Sequence, residues 1–117
     1  MSEELKERTK DYGVRITKLY QALPRTTDAQ TLGKQLLRSG TSVGAHYREA
    51  QFAKSDADFI SKIEGALQEL EESIYWLQII VETDIFGESR IGSLIQETKE
   101  LTAILVTIVK KVKTRNR

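Results

Sequence analysis

The sequence predicts an all-α protein, an antiparallel up-down-up-down bundle of four helices. Three observations carry that prediction. Apolar residues recur at alternating steps of three and four in four separate segments, which keeps one face of a helix apolar. Short polar stretches divide the segments, and short connections make successive helices antiparallel neighbours. No segment reads as a strand; the β-branched run "AILVTIV" continues the apolar seam of the last helix. At 117 residues the chain is expected to form one domain, spanning 1–117, with a single core.

The first segment places Leu5, Tyr12, Ile16, Leu19 and Leu23 on one face, predicting a helix over about 3–23. Pro24 ends it, because the residue before a proline is pushed out of the helical region. Thr27 followed by Gln30 has the form of a capping box, which would open a second helix over about 28–53. Its inward candidates are Leu32, Leu36, Val43, Tyr47 and Ala50, with Leu37 beside them.

Ser55 can cap a third helix, over about 56–84, and Asp56 and Asp58 suit the positive end of its dipole. Here the seam is Ile60, Ile63, Leu67, Leu70, Ile74, Leu77 and Val81, with a second stripe of Phe59, Ala66, Ser73 and Ile80. Two adjacent apolar stripes require more than one neighbour. In "TDIFGES", Gly87 is expected to take the left-handed conformation that ends a helix. The fourth helix, over about 88–113, carries Ile91, Leu94, Thr98, Leu101, Leu105, Ile108 and Val112, flanked by Ile95, Val106 and Val109.

Composition narrows the function. With no cysteine there is no thiolate nucleophile, disulfide framework or cysteine-based metal site, and a reducing cytoplasm is the expected location. The charged start "MSEELKERTK" does not read as a signal peptide. The longest apolar patch, "LTAILVTIVKKV", falls short of the roughly 18 residues of a membrane span. Helices three and four carry more apolar surface than a small bundle needs. Tyr75, Trp76 and Ile79 are therefore expected at an oligomer interface, with burial inside the chain as the alternative.

The stretch "RSGTSVGAHYREA" carries two glycines and the one histidine inside a helix. Gly40 and Gly44 share a helix face. Glycine there costs about 1 kcal/mol relative to alanine, which close packing of a second helix can offset. A local kink or a ligand site is the rival reading. His46 and Glu49 also share a face and, with Arg38 and Ser42, are expected to form a buried or half-buried polar network that sets helix register. A di-iron bundle needs Glu-x-x-His from each of two helices, which one histidine cannot supply. Ser42 and His46, one turn apart on a regular helix, rarely reach the geometry of a nucleophile and its base. No phosphate-binding glycine loop is present. No catalytic residue, metal ligand or cofactor is expected, and the protein is read as non-enzymatic.

Charge is unevenly distributed. Residues 1–27 and 28–54 each carry a net +2, residues 55–84 a net −7, and residues 85–117 a net +4. Lys110, Lys111, Lys113, Arg115 and Arg117 make the C-terminus basic. This basic surface could contact RNA or DNA phosphates, or acidic helix three of one copy could complement basic faces of another. A basic helix end also suits the helix dipole. The tail has no interleaved aromatic residue for base stacking.

The segment "QLLRSGTSVGAHYREA" resembles the small family of bacterial four-helix-bundle proteins first known from intervening sequences in 23S ribosomal RNA genes. Gln35, Leu36, Arg38, Ser42, Val43, Gly44, Ala45, Glu49 and Ala50 fit its central motif. "LYQALPR" and "FISKIEGALQELEESIYWL" are similar to its first and third helices, so the resemblance covers nearly the whole chain. His46 departs from it, standing where the family usually has Asn. The resemblance implies an up-down four-helix bundle assembled as a homopentamer. A related branch, the accessory protein of diversity-generating retroelements, binds nucleic acid. The expected function is a cytoplasmic, self-assembling interaction or scaffold module with a possible protein partner. The alternative is a nucleic-acid-binding accessory protein.

Overall fold

The computed structural model of the chain describes residues 3–115. Four helices account for nearly all of them: α1 (Glu3–Ala22), α2 (Thr27–Ala50), α3 (Asp56–Glu82) and α4 (Glu88–Arg115). There is no strand among the described residues. The bundle is a rod of 50 × 21 × 20 Å, close to the ~42 Å of a 28-residue helix. Helix α2 packs on both α1 and α3, and α3 on α4, while α4 touches α1 only lightly.

Polar contacts between helices record the up-down order. Arg8 and Arg15 of α1 reach Glu97 and Ser93 of α4, so the two helices run in opposite directions. Arg38 and His46 of α2 meet Glu72 and Glu69 of α3 in descending order. Asp56 and Glu64 of α3 likewise meet Arg115 and Lys113 of α4.

Tyr12, Ile16, Leu36, Val43, Tyr47, Leu70, Leu77, Leu101 and Leu105 fill the core. On α3 the deepest positions straddle the two predicted stripes. Ile63, Ala66, Leu70, Ser73, Leu77 and Ile80 are buried, whereas Ile60, Leu67, Ile74 and Val81 are half-buried. The cause is that α3 lies between α2 and α4, so its line of burial falls between the stripes. On α4, Val109 is buried and Ile108 half-buried, because that helix turns toward α3 rather than α1.

Two helix ends differ from expectation. Thr26, not Thr27, holds the N-cap position of α2, and its side chain makes no capping bond. Gln30 is occupied elsewhere: its amide donates to the Pro24 carbonyl at 2.9 Å and accepts from the Tyr20 hydroxyl at 3.0 Å. At the end of α3 the left-handed residue is Asp84 (φ 61°), and Gly87 keeps an ordinary conformation. Ile85 N–H donates to Ile80 O and Asp84 N–H to Val81 O, the paired bonds that close a helix through a left-handed residue. The turn is completed before the chain reaches Gly87. Ser55 caps α3 as its position predicts, accepting from Asp58 N–H at 3.0 Å.

Candidate functional site

The glycine-bearing part of α2 faces α1. A Cβ at Gly40 would lie 2.7 Å from Ile16 Cγ1, and one at Gly44 would lie 3.3 Å from the Thr9 carbonyl oxygen. A side chain at position 40 would therefore displace Ile16, and one at position 44 would press on the α1 backbone and need it to give by a few tenths of an ångström.

Arg38, Ser42, His46 and Glu49 do not form one cluster. Arg38 crosses to α3, where it bonds Glu72 and lies 3.4 Å from Glu69 Oε2. This guanidinium holds the Glu72 carboxyl below the usual carboxylate range. Trp76 Nε1 donates to the same carboxylate at 3.2 Å. Ser42 turns back and donates to the Arg38 carbonyl. His46 is half-buried with Nε2 3.8 Å from Glu69 Oε2, so its nearest carboxylate comes from α3. Glu49 is exposed, and its carboxylate has no hydrogen bond or ion pair among the described residues. The expected pairing of His46 with Glu49 is replaced for a geometric reason. Residues three apart merely share a flank, whereas Glu69 lies across the helix interface.

The His46 ring also occupies the space above Gly65, where a Cβ would lie 3.1 Å from Cε1 and Nδ1. Its Nδ1 is buried without a hydrogen-bond partner. Among the described residues no group of three or more His, Asp or Glu side chains is placed to hold a metal ion.

A different polar layer crosses the core, with one hydroxyl from each helix. Tyr12, Ser39, Ser73 and Thr98 are each at most 1% exposed. Tyr12 and Thr98 hydroxyls lie 2.7 Å apart, and Ser39 and Ser73 hydroxyls 2.8 Å apart. Thr98 donates its proton to the Leu94 carbonyl, so Tyr12 must donate to Thr98. Ser39 also lies 3.3 Å from the Leu36 carbonyl, and either serine can donate in the bond between them. Burial pushes the Tyr12 phenol up, so it stays a donor at neutral pH. Polar residues at seam positions signal this layer in the sequence for Ser73 and Thr98. Ser39 lies off the predicted seam and carries no such signal.

The proposed interface residues lie on the outer side of α3. Tyr75 is 55% exposed, while Trp76 and Ile79 are half-buried. Tyr75 and Trp76 meet edge-to-face with ring centroids 5.0 Å apart. In the basic C-terminal part of α4, Lys110 and Lys111 are exposed. Lys113 lies 3.4 Å from Glu64 and Arg115 3.0 Å from Asp56, so α3 already neutralises two of these cations. Arg117 lies outside the described residues.

A profile of the family described as 23S rRNA-intervening sequence protein matches residues 3–107. Among solved structures, the chain is similar to one from Bacteroides thetaiotaomicron VPI-5482, described as a protein with unknown function from the S23 ribosomal protein family. The two are 38% identical with a TM-score of 0.85, and the match covers 90% of this chain and 97% of the other. No curated protein matches the chain.

Proposed function

The chain belongs to the 23S rRNA-intervening sequence protein family, and on that premise we propose that it acts without catalysis, as a cytoplasmic self-assembling scaffold. The observation that carries this reading is the outer side of α3, where Tyr75 stands 55% exposed beside half-buried Trp76 and Ile79. Exposed aromatic residues next to apolar surface are typical anchors of protein interfaces. A homopentamer is the assembly that the family resemblance favours. None of the described helices is long and apolar enough to cross a membrane. The test is the mass in solution from sedimentation equilibrium at micromolar concentration. Five times the 13.3 kDa chain mass is expected. A monomer across the whole range would overturn the proposal.

Nucleic-acid binding is the second reading, and one observation favours it. Lys54 and Lys111 border the same groove at the end of the bundle, beside Arg115, which is paired with Asp56 in that groove. Phe52, two residues before Lys54 in the sequence, is 82% exposed and is an aromatic side chain open to a base. Binding of labelled single-stranded RNA that weakens steeply with salt would support this reading. Salt-independent binding, or none, would remove it.

A further inference from the structure

We infer that a second copy of this chain docks its α3 outer stripe into the groove between α1 and α2, a head-to-tail contact that rests on the self-assembly proposed above. The groove holds about 440 Å³ and is floored by Gly13, Thr41 and Gly44. Its wall includes Val14, one of three large apolar side chains standing exposed among the described residues, and at its rim are Lys10, Lys18 and Arg48. No acidic side chain lines it.

The outward stripe of α3 has the opposite character. It runs in steps of three and four from Ser61 to Glu82, is exposed throughout, and contains no basic residue. Glu64, Glu71 and Glu82 supply its charge, and Tyr75 is another of the three exposed large apolar side chains.

Each face has charged side chains without an ion pair among the described residues, beside one that is paired. Among the described residues Lys18 and Arg48 in the groove have no ion pair, although Glu7 lies close enough to feel the Arg48 charge, and Glu71 and Glu82 on the stripe have none either. Lys10 is held by Glu7, and Glu64 by Lys113. The spacing also fits. Lys18 lies ~6 Å along the helix axis from Val14, and Glu71 ~6 Å from Tyr75, at 1.5 Å per residue. Seating Tyr75 against Val14 therefore brings carboxylates within reach of the long basic side chains. The small floor lets a helix approach closely.

The two faces differ, so each docking leaves one free groove and one free stripe. Such a contact closes only as a ring of copies. An isologous dimer, in which the same patch meets itself, would bring like charges together on either face.

The test uses two surface variants of the full chain, Ala45→Arg, at an exposed residue that lines the groove, to fill it, and Tyr75→Arg to spoil the stripe. Circular dichroism melts first establish that both fold like the parent. Each variant alone is expected to sediment as a monomer at concentrations where the parent is assembled. Mixed in equal amounts they should form a one-to-one dimer and nothing larger, because the good stripe of one fits the good groove of the other. If both variants assemble like the parent, the surfaces are misassigned while self-assembly stands. A mixture that stays monomeric overturns the head-to-tail pairing. A parent that is itself monomeric overturns both this inference and the scaffold proposal.

Discussion

At the scale of single residues, two contacts define what the interior tolerates. Thr98 accepts the Tyr12 proton in a buried site, so Thr98→Val removes that acceptor and leaves the phenol with Ser73 as its remaining hydroxyl neighbour. A buried donor stripped of its acceptor costs about 1–3 kcal/mol. The variant should lose that much in urea unfolding, and adding Tyr12→Phe should recover part of it. The second contact is His46 over Gly65. Alanine in a helix is favoured over glycine by about 1 kcal/mol, but a Cβ at position 65 presses on the imidazole. Gly65→Ala should therefore be neutral or destabilising in the parent. In a His46→Asn background, where the ring is gone, it should become stabilising. Equal effects in both backgrounds would show that the ring does not decide the matter.

At the scale of elements, the helix ends follow local rules, but only where competing bonds leave them free. Ser55 caps α3 because nothing else claims its hydroxyl in the described structure. The capping box expected at Thr27 and Gln30 fails because Gln30 bonds the loop and Tyr20 instead. Asp84 closes α3 with φ 61°, a conformation that costs a side-chain-bearing residue about 1 kcal/mol. Asp84→Gly should raise the melting temperature by a few degrees, since both closing backbone bonds are retained. A lower melting temperature would mean that the aspartate side chain stabilises the turn more than its backbone strains it.

On the whole-molecule scale, the weak point is the closure between α1 and α4. Their backbones come close at few points, and the Arg8 fork on Glu97, with both bonds at 2.7 Å, bridges the gap. The Arg8 guanidinium holds the Glu97 carboxyl below its ordinary value of 4.5. As pH falls, the unfolded chain therefore takes up this proton before the folded one does. The stabilisation is present above about pH 4.5 and is lost as pH falls through the lower folded value. Glu97→Gln should accordingly be less stable than the parent at pH 6, by about 1 kcal/mol for a partly exposed pair. The gap should narrow toward pH 3. A gap that is constant with pH would assign the effect to packing instead.

The sequence by itself determined that there are four helices, their order, and the approximate side of each that turns inward. Burial periodicity is local: Ile16, Leu36, Leu70 and Leu101 declare their faces through neighbours three and four places away. The tertiary structure decided how far each helix rotates and slides against the next. That rotation put Ala66, Ser73 and Ile80 deeper than Ile60 and Ile74, and joined the hydroxyls of Tyr12, Ser39, Ser73 and Thr98 in one layer. It also gave Arg38 and His46 carboxylates from α3 rather than from their own helix. A heptad pattern accepts many offsets between helices. The offset is chosen by side chains that meet across the interface, and those meetings are not local in sequence.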